Sequence, residues 1–388
     1  MTATPLPYTD ELTLALRAIH AASLLTKSVL RSLSNHVSAE TKADDSPVTI
    51  ADFAAQAILI SALHAVYPSD AFLGEESAAA LRENKGLAEQ VWQLVLRASP
   101  LSASETSDVQ KQSTSTPSVL ATQSRLTFPT SKADMLDLID RGTGTETARG
   151  RVWVMDPVDG TATFMEGKQY AVCLCLLVDG VQQVAAIGAP NLKFDASSSA
   201  LILGQNIHED LVDEEGHGVV LSAIKGHGTY VSSMHASNLG ERRRIDLQQV
   251  APKKVAGLNF IESTLGVTSL SQGEHQAVAE SLGASWPGTV IWSQQMKYVA
   301  LTLGATDVMV RLPKNKERFT CVWDHAGGQL LFEEAGGIVK DLDGGAIDFA
   351  QGRKILGDRN YGMIAAMPWC FDLVMQTVQE VLDKRPRS

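Results

Sequence analysis

An apolar run that ends directly in an acidic turn constrains the fold more than any other feature of this sequence. Val152-Trp153-Val154-Met155 has the composition of a buried strand, and Asp156-Pro157-Val158-Asp159-Gly160-Thr161 follows it without a break. Open α/β folds place their ligand sites at the carboxyl ends of strands, so the acidic pair is well placed for binding. Two carboxylates three residues apart can hold hard divalent cations. The alternative is a solvated turn, because Asp, Pro and Gly are the commonest turn residues.

Glu75 and Glu76 form a second acidic position. They stand in the run Leu73-Gly74-Glu75-Glu76-Ser77, where Gly74 lets the backbone turn sharply and present the carboxylates. A plain charge pair on the surface would explain these residues equally well.

Two further carboxylates each stand at the start of a predicted helix. Thr49 and Asp52 have the spacing of a capping box, which predicts a helix over 53–66. Asp324 lies just before the helical pattern of 329–335, so it could be the N-cap of that helix. Each carboxylate therefore has a structural explanation when it is taken alone, and only the combination indicates a shared site.

Several motifs occur together in a fixed order along the chain. They are V-T-I-A-D-F-A-A-Q, L-G-E-E-S, W-V-M-D-P-V-D-G-T, Y-A-V-C-L with I-G-A-P-N-L, and V-W-D-H-A-G-G with E-E-A-G-G. From about Leu12 to Ala366 the sequence resembles the inositol monophosphatase-like superfamily of magnesium-dependent, lithium-sensitive phosphatases. The long segment between the two acidic motifs, together with M-K-Y and V-R-L-P downstream, makes it most similar to the 3'(2'),5'-bisphosphate nucleotidase branch.

The resemblance implies an α/β (α+β) fold, specifically a layered α-β-α-β-α sandwich of the inositol monophosphatase/sugar phosphatase type. Periodicity by itself predicts only alternating strands and helices. We predict an N-terminal α+β metal-binding domain over 1–245 and a C-terminal α/β domain over 246–388, which contributes Asp324 and substrate contacts. Residues 99–130 are predicted to be a flexible, Ser/Thr-rich surface insertion, with a regulatory phosphorylated segment as the alternative.

The strongest local signal is a hairpin, because residues 170–178 and 181–187 alternate around Asp179-Gly180. A basic, polar stretch over 244–254 is predicted to separate the two halves of the chain. The remaining patterns predict helices over 87–96, 135–139, 274–282 and 295–303, and strands over 71–73, 257–262, 289–291 and 307–313.

The resemblance also implies two or three Mg²⁺ ions held by named residues. Glu75, Asp156 and the carbonyl of Val158 would hold one ion, and Asp156, Asp159 and Asp324 would hold another, with Asp156 shared by both. Magnesium prefers hard oxygen ligands, which suits carboxylates without His or Cys.

The catalytic roles are implied in the same way. Asp52 is the expected general base, acting with the hydroxyl of Thr161 to orient and deprotonate the attacking water. The chain after Asp159 is predicted to begin a helix, so the amides of Gly160 and Thr161 can donate to phosphate oxygens. No covalent intermediate is implied.

The nucleotidase branch implies hydrolysis of the 3'(2')-phosphate of 3'-phosphoadenosine 5'-phosphate to AMP and phosphate, with 3'-phosphoadenylyl sulfate as a further substrate. An inositol polyphosphate 1-phosphatase or inositol monophosphatase activity is the alternative within the same fold. A catalytically inactive relative that serves as a binding protein is the alternative outside this class. The presence of all five acidic positions and of Thr161 argues against inactivity.

The sequence departs from the nucleotidase pattern at two places near the substrate. Ala162-Thr163 stands where the branch usually has Lys-Gly, and Gln294 stands where a Ser is expected. Arg311 and Lys297 are the candidates for the missing positive charge. Arg311 suits bidentate phosphate binding, whereas Lys297 would act as a point charge or simply lie on the surface.

Charge and composition narrow the class of partner. The 388-residue chain carries 33 basic and 44 acidic residues, for a formal net charge of -11. This balance argues against nucleic-acid binding. An acidic protein that handles a small phosphate ester needs bound cations to reverse its local field. We expect a monomer without a membrane partner.

The four cysteines do not suggest a disulfide framework, and Cys173 and Cys175 are predicted to be buried thiols. The N-terminus has neither a basic start nor a continuous apolar core. No apolar run approaches the roughly 20 residues that span a bilayer. These observations predict a cytoplasmic protein, with nuclear entry left open.

Overall fold

The computed structural model describes residues 6–33, 39–41, 47–99, 126–197, 201–263 and 269–385. Most of the predicted insertion over 99–130 lies outside these ranges. Within them, the helices are α1 Thr9–Leu33, α2 Ile50–Val66, α3 Ala79–Glu83, α4 Lys85–Ala98, α5 Lys132–Arg141, α6 Thr161–Met165, α7 Gln272–Ser281, α8 Gln294–Thr302, α9 Ala326–Glu334 and α10 Phe371–Leu382.

The strands form one large sheet and several small ones. They are β1 Ala39–Thr41, β2 Pro47–Thr49, β3 Ala71–Gly74, β4 Arg151–Asp159, β5 Ala171–Val178, β6 Val181–Ala189, β7 Val219–Ile224, β8 Thr229–Ser233, β9 Arg243–Ile245, β10 Ile261–Glu262, β11 Thr289–Val290, β12 Val308–Arg311, β13 Phe319–Cys321, β14 Ile338–Lys340, β15 Lys354–Leu356 and β16 Met363–Ala366. The large sheet has the order β3-β4-β5-β6-β7-β8-β9. Its first pair is parallel and the others are antiparallel.

Both faces of the large sheet are covered, which explains why its central strands are apolar throughout. Side chains alternate between the faces of a strand. Trp153 and Met155 of β4 therefore pack into the core beneath α1 and α2, while Val152 and Val154 pack into the opposite core with α8 and α9. The sheet thus lies between two layers of helices.

A second sheet lies beyond α8 and α9. It has the order β12-β16-β14, and a bridge between Phe260 and Val308 joins it to the parallel pair β10-β11. α7 and α10 pack together, and α10 also packs on β16. The succession is the predicted α-β-α-β-α sandwich. The division into 1–245 and 246–388 stays a prediction, although the last strand of the large sheet does end at Ile245.

Most local predictions agree with the structure. Asp179 and Gly180 have φ angles of 50° and 78°, as the hairpin between β5 and β6 requires. Other predictions were wrong in extent. The strand predicted over 257–262 is reduced to β10, with a 3-10 turn at Val255–Gly257. The stretch 244–254 includes the end of β9, so part of it completes the large sheet rather than separating two halves. No helix in the described ranges is long and apolar enough to cross a membrane.

Candidate metal centre and active site

A β-bulge at the end of β4 brings its two aspartates to one face. The pairing with β5 shifts register between Asp156 and Asp159, which reverses the alternation of side chains. Val154 and Val158 would share a face in a regular strand, yet they pack into opposite cores. Asp159 therefore points to the same side as Asp156.

Asp324 completes a cluster with these two residues. It lies in a 3-10 turn, Val322–Asp324, that packs against β4 and β5. One carboxylate oxygen from each of Asp156, Asp159 and Asp324 lies within 4.8 Å of the others. The N-cap position of α9 is occupied by His325, so the capping explanation for Asp324 is wrong. The structure thus joins two motifs that are far apart in the chain.

The cluster is electrostatically strained. Burial, and to a lesser degree the charge of Glu75, raises the pKa of Asp159. Burial, followed by repulsion from Asp159 and Glu75, raises the pKa of Asp324 to about 7, and Arg311 opposes that shift. A bound cation would stabilise the charged form of all these carboxylates, and binding would release protons.

Glu75 follows β3, the parallel neighbour of β4, so the two acidic turns leave the sheet side by side. Gln56 of α2 holds this turn in place: its amide donates to the carbonyl of Glu76 at 2.8 Å, and its oxygen accepts from the amide of Glu76 at 3.0 Å. Sequence reasoning missed Gln56. A buried amide in the otherwise apolar middle of α2 was the available signal.

The carboxylate of Asp159 lies at the N-terminus of α8. It accepts hydrogen bonds from Ser293 Oγ at 2.5 Å and from the backbone amides of Gln294 and Gln295. Gln295 also donates through its side chain to the carbonyl of Trp323 at 2.6 Å. Ser293 and Gln295 were not predicted as site residues, because only the tertiary structure places α8 against β4.

Gly160 and Thr161 form the turn between β4 and α6, as predicted. Gly160 has a φ of 94°, and a Cβ there would lie 3.0 Å from the Cβ of Ser293, so both backbone conformation and space require glycine. Thr161 Oγ1 donates to the carbonyl of Val158 at 3.2 Å. Ala162 beside them is exposed, which leaves this turn open to solvent.

Asp52 is fully buried in the first turn of α2, which begins at Ile50 rather than at the predicted residue 53. Residues four apart lie on the same face of a helix. Gln56 on that face contacts the turn of Glu76, so Asp52 faces the same side of the molecule. Its role as the base stays a prediction.

The two predicted phosphate ligands lie on neighbouring elements beside the cluster. Arg311 Nη1 donates to Gln294 Oε1 at 2.5 Å. Gln294, which stands where a Ser was expected, therefore holds Arg311, one of the two candidate phosphate ligands. Lys297 is 3% exposed, and its ammonium donates to Ser263 Oγ at 2.7 Å. The surface alternative for Lys297 is therefore wrong.

The donor set fits Mg²⁺. The cluster offers carboxylate oxygens, and the neighbouring thiol of Cys173 is unsuited as a ligand. Burial, together with the charges of Asp156, Asp159 and Asp324, raises the pKa of Cys173 well above its usual value, which keeps it protonated. Hard oxygen ligands without thiolate or imidazole favour magnesium over zinc.

A cavity of about 1100 Å³ lies elsewhere, along α1. Leu12, Leu16 and Tyr230 are among the described residues that line it, and none of the predicted site residues is among them. Chemistry rather than cavity size therefore identifies the site.

Comparison with known proteins gives a consistent result. The sequence model of the inositol monophosphatase family matches residues 106–371. The 3'(2'),5'-bisphosphate nucleotidase of Emericella nidulans is 36% identical and covers 97% of this chain and 99% of that protein. The enzyme of the same name from Schizosaccharomyces pombe is 35% identical and covers 96% of each chain. The 3',5'-bisphosphate nucleotidase 2 of Arabidopsis thaliana is 30% identical, with coverage of 96% and 98%.

Solved structures share the fold at low sequence identity. An IMPase of Thermotoga maritima has a TM-score of 0.54 at 15% identity and covers 97% of this chain and 99% of that one. An IMPase/NADP phosphatase complexed with Mg²⁺ and phosphate has a TM-score of 0.53 at 14% identity, with 95% coverage of each. At these identities the likeness shows the fold alone.

Proposed function

Because the chain belongs to the inositol monophosphatase family, we propose that it is a magnesium-dependent 3'(2'),5'-bisphosphate nucleotidase, which hydrolyses 3'-phosphoadenosine 5'-phosphate to AMP and phosphate. The relatives that are named for this activity align over nearly their whole length. The chain is therefore a phosphoric monoester hydrolase, and the proposal concerns its substrate, its ligands and its catalytic residues. A sulfated analogue, 3'-phosphoadenylyl sulfate, would be a second substrate of the same pocket.

One observation carries the proposal. Asp156, Asp159 and Asp324 come from two distant parts of the chain, and their oxygens lie within 4.8 Å of one another. Such mutual repulsion in a buried place is costly for a fold unless a ligand offsets it. The cluster is therefore best explained as a binding site for cations.

The carboxylates of Glu75, Asp156, Asp159 and Asp324, with the carbonyl of Val158, would hold two or three Mg²⁺ ions. When bound, magnesium neutralises charge on the phosphate and activates water for attack. Ser293 and the amides at the N-terminus of α8 fix the orientation of Asp159, as hydrogen-bond partners behind a metal ligand do.

Asp52 would accept the proton of the attacking water, and the Thr161 hydroxyl would orient that water. Placement of Asp52 on the face of α2 that carries Gln56 supports this role. The amides of Gly160 and Thr161 would donate to the oxygens of the phosphate that is cleaved, because the start of α6 leaves them without partners in the helix.

Lys297 and Arg311 would bind the phosphate that is kept. Ala162 offers no charge, so these two residues would supply it. Arg311 lies close enough to the cluster to lower the pKa of Asp324 against the effect of burial. The negative charges of Glu262 and Asp159 act on Lys297 and partly oppose the lowering of its pKa by burial. Both cations thus lie on the α8 side of the metal centre.

A substrate comparison tests the proposal. Phosphate release should be measured with Mg²⁺ from 3'-phosphoadenosine 5'-phosphate, inositol 1,4-bisphosphate and inositol 1-phosphate at matched concentrations. We expect the highest kcat/KM for the bisphosphate nucleotide. A preference for either inositol ester would favour the alternative activity instead. Failure to release phosphate from any ester, despite Mg²⁺ binding, would favour an inactive binding protein.

A further inference from the structure

Two of the proposed metal ligands lie on turns that are far apart in the sequence. Glu75 follows the end of β3, and Asp324 ends the turn before α9. Their separation is set by whatever holds the two turns together. Within the described ranges, the side chain of Arg353, from the loop that leads into β15, contacts both turns.

Near Glu75, the guanidinium of Arg353 donates hydrogen bonds to backbone carbonyls. Nη2 donates to the carbonyl of Gly74 at 2.7 Å, one residue before Glu75. Nη1 donates to the carbonyls of Gly142 and Gly144 at 3.0 and 3.1 Å. Gly142 in turn accepts the backbone amide of Gly74 at 2.8 Å. The turn of Glu75 is thus fixed from two directions.

On the Asp324 side, the same guanidinium stacks on an aromatic ring. Its central carbon lies 4.6 Å from the centroid of Trp323, one residue before Asp324. The backbone carbonyl of Arg353 also accepts the amide of Val322 at 3.0 Å. Gln295 also donates to the carbonyl of Trp323. The turn of Asp324 is therefore held by both Gln295 and Arg353.

The chemistry of these contacts requires arginine. The planar guanidinium can donate in several directions within its plane while its face stacks on an indole, which a lysine ammonium cannot do. Among the described residues, no carboxylate forms an ion pair with Arg353, and its guanidinium donates only to backbone carbonyls. The positive charge of Arg353 therefore holds backbone carbonyls in place. It also lies close enough to Glu75 for the two charges to interact.

We propose that Arg353 is a positioning residue for the metal centre, which sets the distance between Glu75 and Asp324 by binding the turn before each of them. This inference rests on the proposed function, because it takes both residues to be metal ligands. Arg353 contacts the backbone and the indole beside these ligands, so it would act through them and not as a ligand itself. Loss of its contacts should weaken metal binding first and leave the affinity for substrate at saturating metal unchanged.

Direct titration of Mn²⁺, followed by the loss of its free electron paramagnetic resonance signal, tests this without any turnover. Arg353→Met removes the carbonyl contacts but keeps an apolar side chain against Trp323. We expect its Mn²⁺ dissociation constant to rise by about 10-fold or more, the usual effect of losing a residue that orients metal ligands. Arg353→Lys should lie between it and the wild type. Arg359→Met is the matched control, because Arg359 is exposed and pairs with Asp348.

Glu75→Gln and Asp324→Asn separate the two ways to fail. Both should lose Mn²⁺ binding; if they bind like the wild type, the metal assignment itself is wrong. If they lose binding while folded Arg353→Met keeps wild-type affinity, only the positioning role is overturned. Circular dichroism and Tm report folding, and should Arg353→Met not fold, wild-type affinity in folded Arg353→Lys overturns the proposal.

Discussion

Lys27 and Lys297 lie in different layers, and both are almost completely buried, with 4% and 3% of their surface exposed. Burial lowers the pKa of each to about 8. The two differ in what surrounds the ammonium group. That difference separates Lys27, which stabilises the fold, from Lys297, which we propose binds substrate.

Acceptors within the protein use all the hydrogen-bond donors of the Lys27 ammonium. It donates to the carbonyl of Pro190 at 3.1 Å, to Asn191 Oδ1 at 2.6 Å and to the carbonyl of Asp213 at 2.6 Å. An ammonium has three donors, so none is left for a ligand. Asn191 also donates to the carbonyls of Gly167 and Lys168, which ties this anchor to the chain after α6.

The ammonium of Lys297 is only partly used. Within the ranges that the structure describes, it donates to Ser263 Oγ and to no other group. Glu262, the carboxylate whose charge acts most strongly on Lys297, is already engaged by His275. Unused donors in a buried place are costly unless a ligand accepts from them. The comparison teaches that the groups around a buried lysine, rather than its burial alone, distinguish the two regions.

The largest effect is expected at the carboxylate cluster, whose Asp159 interacts with Lys297. Asp324→Asn should lower kcat by more than about 100-fold, because direct loss of a ligand should exceed the 10 to 100-fold typical of residues that merely orient ligands. Tm should not fall, since the change removes a half-buried charge that Asp159 and Glu75 repel. Steady-state kinetics at saturating Mg²⁺ measure it. Asp213→Asn, beside Lys27, is the control and should keep wild-type turnover; equal losses in both variants would break the contrast between the regions.

The next effect separates the two lysines by substrate affinity. Lys297→Met should raise KM for 3'-phosphoadenosine 5'-phosphate by about 10-fold or more, since a hydrogen bond from a charged group contributes about 1.5 to 3 kcal/mol. Lys27→Met should leave KM unchanged. Initial rates over a range of substrate concentrations check both. Wild-type KM in Lys297→Met would remove this residue from the substrate site.

Stability should show the opposite pattern. Lys27→Met leaves Asn191 Oδ1 and two carbonyls without their donor, and we expect the free energy of unfolding to fall by about 1 to 3 kcal/mol. Lys297→Met removes a buried charge whose one hydrogen bond within the described residues is to Ser263 Oγ. The free energy of unfolding of this variant should therefore be unchanged or higher. Urea denaturation of both variants measures this. A larger loss in Lys297→Met than in Lys27→Met would contradict the assignment.

The smallest effect concerns pH. Lys297 has a pKa of about 8, so it is charged below that value and loses its charge as the pH rises through it. The phosphates of the substrate are already ionised there, because their second pKa is about 6. KM for the bisphosphate should therefore rise between about pH 7 and 9 in the wild type. In Lys297→Met the rise should be absent, and a parallel rise in both proteins would assign the titration to another group.

Much of the site follows from local sequence. The hairpin between β5 and β6, the burial of Cys173 and Cys175, and the turn at Gly160 all depend on neighbours in the chain, and each was confirmed. Ser293, Gln295, Gln56 and Arg353 were missed. Gln56 had a signal in its apolar helix, whereas Ser293, Gln295 and Arg353 carry none until another element packs against them. The monomeric state and the absence of nucleic-acid partners stay predictions.

The sequence by itself determined which residue types are available: hard carboxylate oxygens after an apolar strand, glycine where the backbone must turn, and a motif order that resembles one family. Only the tertiary structure decided which of them meet. A register shift in β4 turned Asp159 to the side of Asp156, and the packing of α8 and of the turn before α9 brought Ser293 and Asp324 to them. The physical reason is that the face a side chain occupies depends on pairing with distant strands, and local propensity does not specify that pairing.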